Sequence, residues 1–141
     1  MKRIITMAVA VAALCAGYAV GQSSEFRARL APTPVDARSQ ASITGQGQAS
    51  ATLDGRRLVV AGTFEGLQGP AATAHLHLSP AIGVRGPTIY DLDVSHATQG
   101  NVSGSLQLSA RHVEALRAGL LYVQIDGEST PEGNLWGWLL Q

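Results

Sequence analysis

Two histidines one residue apart, His75 and His77, lie in the run "ATAHLHL" at residues 72–78. On a β-strand, positions i and i+2 share a face and sit about 7 Å apart at Cα, so two imidazoles placed this way can converge on one ion. Imidazole suits copper, zinc and nickel. A usable site takes three or four ligands, and His96 and His112 are the other imidazoles in the chain. The competing reading needs no metal. Both rings then hydrogen-bond to neighbouring strands or backbone on the more open face, while Ala72, Ala74, Leu76 and Leu78 face the core.

Other reactive groups lack a constellation. Ser79 and Ser109 stand in no G-x-S-x-G turn, the local signature of one nucleophile class. Asp91 and Asp93 share a strand face as paired carboxylates would, and read as exposed acids on an outer sheet face. The glycines at 45, 47, 62, 66 and 69 precede no lysine and no strand-to-helix step, so they form no phosphate loop. These absences argue against an enzyme. Trp136 and Trp138 point one way and Leu135, Gly137 and Leu139 the other. The tryptophans are expected to enter the core; the alternative is an aromatic strip on the last strand, a partner site in which aromatic anchors carry the interface energy.

The elements that must position these residues are strands. "EFRARL" and "GQGQASATL" alternate with the period of two of half-buried strands. Asp54-Gly55 before "RRLVVAGTF" is a hairpin signal for a type I′ turn, which needs positive φ at both central residues. "ATAHLHL", "TIYDLDV", "NVSGSLQL", "LLYVQID" and "NLWGWLL" supply the remaining strands, with "SPAIGVRGP" as a loop and "GESTPEG" as a turn. One segment is helical: "SARHVEALRAG" has Ser109 as N-cap, Val113 and Leu116 three apart, and Gly119 past the end. Seven or eight short strands with one short helix argue an all-β, antiparallel Greek-key β-sandwich.

The first 21 residues are read as a signal peptide. Lys2 and Arg3 precede a charge-free apolar run at residues 4–16, then Gly17, Ala19 and Gly21 offer small residues for cleavage. An uncleaved anchor is the alternative, since residues 4–20 reach the short limit for a membrane-spanning helix. Export places residues 22–141 in the periplasm or outside the cell, with no stable membrane insertion after cleavage. Cys15 is the only cysteine, so that domain has no disulfide. Removing Lys2 and Arg3 leaves eight basic residues against ten acidic ones, a formal charge of −2. Such a balance gives no footprint for nucleic acid and no bulk attraction to a membrane surface. An unknown protein or other extracellular partner remains.

The ordered motifs "F-x-A-x-L" at residues 26–30, "L-x-G…TAHLH" at 67–77, "GxxGP" at 83–87, "L-x-AG-x-LYV" at 116–123 and "PEGNLWGWL" at 131–139 resemble the CHRD domain, which is common in exported bacterial proteins. The resemblance implies an immunoglobulin-like or superoxide-dismutase-like sandwich and little about activity. It also places Asp126 where the family usually has a histidine, and so nominates Asp126 as a third ligand beside His75 and His77 for copper or zinc. Asn134 and Trp136 replace an acidic residue and an arginine of the family ending. The loop after "HLH" has no histidine, which argues against a dismutase-type metal cluster.

Overall fold

The computed structural model describes residues 21–141. The expected signal peptide lies almost wholly outside the described residues. Eight strands and one helix follow in the order β1 (Ser24–Pro32), β2 (Gln46–Asp54), β3 (Arg57–Glu65), β4 (Ala71–Leu78), β5 (Thr88–Val94), β6 (Gly100–Gln107), α1 (Ala110–Arg117), β7 (Leu121–Gly127) and β8 (Thr130–Trp138). All strand pairs are antiparallel.

The sandwich expectation is corrected to a closed barrel, ordered β1-β2-β3-β6-β5-β4-β7-β8. Two strands close it by changing partners along their length. β1 pairs with β2 through Leu30 and then with β8 at Ala31 and Pro32. β5 pairs with β4 as far as Leu92, then with β6 at Asp93 and Val94. The barrel is therefore two sheets joined along two short seams. Period-two alternation tells which residues face inward and is silent on which strand lies alongside; closure is invisible to it.

The interior is filled by Phe26, Leu30, Leu58, Leu76, Ile125 and Leu135, each almost fully buried, with others of their kind. On β2 the inward residues include Ala49 and Ala51, and β3 contributes Gly62 beside Ala49. A Cβ on Gly62 would lie 2.5 Å from the Gln48 carbonyl oxygen, so the small residue lets the two strands approach. The helix forms as its sequence dictates. Ser109 caps it by accepting from the His112 amide at 3.1 Å, worth about 1 kcal/mol. Val113 and Leu116 are its buried residues, and Gly119 follows with φ 74°.

Two local expectations differ. Gly55 is the first central residue of the β2–β3 turn and alone takes positive φ, at 61°, which is the type II′ pattern rather than type I′. The segment read as the turn "GESTPEG" is mostly strand, because β8 begins at Thr130. Gly127 pairs with Thr130 and Ile125 with Leu135, so β8 carries extra residues against the same stretch of β7. Pro131 falls in this bulge, where no ladder N–H is required.

Candidate functional site

The candidate residues gather on the outer face of β4, β7 and β8. Register aligns them in rows: His77 opposite Tyr122 and Tyr122 opposite Trp138; His75 opposite Gln124 and Gln124 opposite Trp136; Thr73 opposite Asp126. Outward residues normally meet water. Here β7 is buried along its whole length, on both faces.

The cover is the β4–β5 loop, residues 79–87, which folds back over the face. The Tyr122 hydroxyl accepts from the Gly86 amide at 3.0 Å and lies 3.2 Å from the Gly86 carbonyl oxygen. His77 stacks on Tyr122 with centroids 4.7 Å apart, and Trp138 packs against the other side at 4.7 Å. Arg85 places its guanidinium 5.4 Å from the centre of Trp136 and donates to the Glu132 carbonyl oxygen at 2.6 Å. That contact combines cation–π attraction with burial of the arginine stem. Trp136 and Trp138 are thus half-buried on the outside, not in the core as expected; Leu135 and Leu139 take the inward positions.

The structure divides the nominated ligands. His75 and Asp126 are together, with His75 Nδ1 3.3 Å from Asp126 Oδ2. On its other side His75 Nε2 is 3.6 Å from the exposed Asp91. Asp126 accepts from Thr73 Oγ1 at 3.1 Å and from Gln124 Nε2 at 2.8 Å. His77 faces a different neighbour. Its Nδ1 is 2.9 Å from the Gly86 carbonyl oxygen, an acceptor only, so Nδ1 must carry the proton and Nε2 the lone pair. That Nε2 is buried and has no hydrogen-bond partner. Burial pushes the His77 pKa below the ordinary histidine value, helped by His75 and Arg85 and opposed by the Gly86 bond and Asp126. The two imidazoles stand 5.9 Å apart and nearly perpendicular. His112 sits on α1 against Tyr90, and His96 is exposed between β5 and β6. Among the described residues no group of three His, Cys, Asp or Glu side chains is arranged to hold a metal.

The other chemical candidates have structural work. Ser79 Oγ donates to the carbonyls of Ala81 and Val84, the latter at 2.6 Å, and Ser109 is the helix cap. Among the described residues neither hydroxyl hydrogen-bonds to a basic side chain. Sequence reasoning missed Tyr122, Gln124 and Arg85. The alternation of Tyr122, Gln124 and Asp126 was legible, but joining it to the histidines required knowing that β7 lies beside β4. Gly133 also matters: its φ is 126°, and a Cβ there would lie 3.0 Å from the Gln124 amide nitrogen.

The CHRD domain model matches residues 26–139. The chain belongs to the CHRD-domain family. Comparison with curated proteins and with solved structures gives no match. The CHRD match covers in full β4, β7 and β8, the strands that build this face. Asn134 and Trp136 each have defined neighbours. Asn134 is buried, donating to the Thr44 carbonyl at 2.7 Å and lying 3.1 Å from Thr130 Oγ1. Trp136 receives Arg85 from a separate loop.

Proposed function

We propose that this chain is an exported, non-catalytic CHRD-type binding module whose partner surface is the part of the aromatic outer face left open at Trp136 and Trp138 on β8. The observation that carries this reading is the half-buried pair Trp136 and Trp138, set outside the barrel, with Trp136 under Arg85 and Trp138 packed against Trp136 and Tyr122. Rigid aromatic groups on an ordered surface lose little entropy when a partner covers them. Export follows from the leader pattern of the first 21 residues, and intact mass of the exported protein is expected to show a start at Val20 or Gln22. A photo-crosslinking residue at Trp136 or Trp138, expressed in cells, is expected to capture a defined partner that the same residue at Thr52 does not. Equal capture from all three positions sinks the aromatic-face reading.

A metal-binding role is the second reading, favoured by His75 lying 3.3 Å from Asp126 on the strand face it shares with His77. The histidine pair stands short of a full site: the free lone pair of His77 is on the buried Nε2, and among the described residues no third His, Cys, Asp or Glu is arranged with the pair to hold an ion. The expected outcome of calorimetry is weak Cu(II) or Zn(II) binding that His77→Ala leaves unchanged. Submicromolar copper affinity lost in that variant reverses the preference between the two readings.

A further inference from the structure

The β4–β5 loop has a second side. Its tip is a tight turn in which the Val84 amide bonds the Ala81 carbonyl at 3.0 Å, with Gly83 at φ 85°. This turn presents Ile82 and Val84 to water, 58% and 47% exposed. A mobile loop could tuck such side chains away. This one is pinned: Ser79 Oγ bonds both carbonyls of the turn, and His77 and Tyr122 hold Gly86 at its base. The apolar tip is therefore displayed in a fixed shape, and among the described residues nothing covers it.

The tip has apolar and cationic neighbours. A Cβ placed on Gly119 would lie 3.0 Å from Leu140 Cδ2 and 3.7 Å from Ile82 Cδ1, so both side chains flank Gly119. Leu140 is 45% exposed. Leu140 bridges to Arg27 and Trp136 pairs with Ala31, a register that sets Arg29 across from Trp138. On the other flank Arg111 lines one cavity with Pro80, Arg85 and Pro87. Arg27 is paired with Glu25 at 3.4 Å, and Glu114 lies on α1 close to Arg111 in sequence. Arg29, Arg85 and Arg111 have no carboxylate within ion-pair distance among the described residues. The fold thus sets Arg85 and Arg111 beside the apolar tip, with Arg29 farther round the barrel next to Trp138, although the chain as a whole has no basic excess.

We propose that the turn at residues 81–84 docks on an anionic lipid surface, with Ile82 and Val84 entering the headgroup region and Arg29, Arg85 and Arg111 meeting lipid phosphates. Size selects this occupant. The turn offers two exposed aliphatic side chains with Leu140 nearby, far fewer than the roughly 20–30 residues that each side of a standard protein interface contributes. A bilayer needs less. Shallow apolar insertion and cationic attraction act together there, and neither alone gives stable binding. The inference goes beyond the aromatic-face reading and stands without it.

The test must report from the tip, because the apolar run at residues 4–16 would itself bind vesicles. Full-length chain carrying Cys15→Ser and Ile82→Cys takes an environment-sensitive nitrobenzoxadiazole label at 82; a companion chain takes it at Thr52→Cys on the far wall. With phosphatidylglycerol–phosphatidylcholine vesicles, the label at 82 is expected to shift to the blue and brighten severalfold, while the label at 52 stays unchanged. Phosphatidylcholine alone, or Arg29→Glu with Arg111→Glu, is expected to remove most of the response. No shift at 82, equal shifts at 82 and 52, or a shift indifferent to lipid charge and to both arginines overturns the proposal. So does a label at 82 that responds to rising protein concentration and not to vesicles, which would assign the tip to a second copy of the chain.

Discussion

The two walls of the barrel treat their outer faces differently. On the wall of β1, β2, β3 and β6, outward residues such as Arg27, Gln48, Thr52 and Ser103 are exposed. On the wall of β4, β7 and β8, the outward Tyr122, Gln124 and Asp126 are as sheltered as a core. Strand sequence alone does not set the difference. β2 and β7 both alternate, yet β2 reads buried and exposed in turn while β7 reads buried throughout. The loop over β7 makes a second, aromatic layer outside the first core. Orientation toward the barrel axis and burial are separate properties here.

The largest effect that tests this contrast is truncation across the two outer faces. Tyr122→Ala is expected to lower stability by about 3–5 kcal/mol, the range of a core aromatic. Thr52→Ala, equally outward, is expected to stay within about 0.5 kcal/mol. Urea unfolding of both variants decides it; equal small shifts would mean the covered wall contributes no second core.

A smaller effect separates the cover's hydrogen bonds from its packing. Tyr122→Phe keeps the ring stacked between His77 and Trp138 and removes only the hydroxyl that meets Gly86. A loss of about 1 kcal/mol is expected. Amide exchange in residues 79–87 should quicken more than exchange in β2. A uniform change across both walls would show that the loop and the barrel open as one unit.

The smallest effect is a pH dependence carried by His77. Its folded-state pKa lies below the ordinary value of about 6.5, so between the two the unfolded chain binds more protons than the folded one. The stability from burying the neutral ring is therefore complete above about pH 6.5 and falls as pH drops through the lower folded value. Urea midpoints at pH about 7.5 and about 5 should differ more in the wild type than in His77→Gln. An equal difference in both proteins would remove His77 from the account.

This contrast also shows what was legible in the residues. Strong period-two runs and good caps revealed β1, β2, β3 and α1, because each is determined by its own few residues. Trp136 and Trp138 were placed on one face correctly and on the wrong side of the barrel, since large apolar residues usually mark the inside. What reverses that rule is Arg85, about fifty residues away in sequence, lying over Trp136. Asp126 beside His75 was reached through the family resemblance, while His77's attachment to Gly86 had no local signal. The start of β8 was hidden by Pro131 and Gly133, which read as turn residues and in fact occupy a bulge.

The two short seams bear on how this chain avoids sticking to itself. A closed barrel leaves no free strand edge for another chain to join. Here closure rests on two residue pairs between β5 and β6, and on two pairs plus the Arg27–Leu140 bridge between β1 and β8. These are the places where a transient opening would free edges, on β5 and β6 at one seam and on β1 and β8 at the other. β5 and β1 carry features that discourage intermolecular pairing: Asp91 and Asp93 on β5 just after Pro87, and Glu25, Arg27, Arg29 and Pro32 on β1. Charges and prolines of this kind act as gatekeepers against aggregation. In the closed barrel they guard edges that do not exist; they matter in the moments when a seam parts.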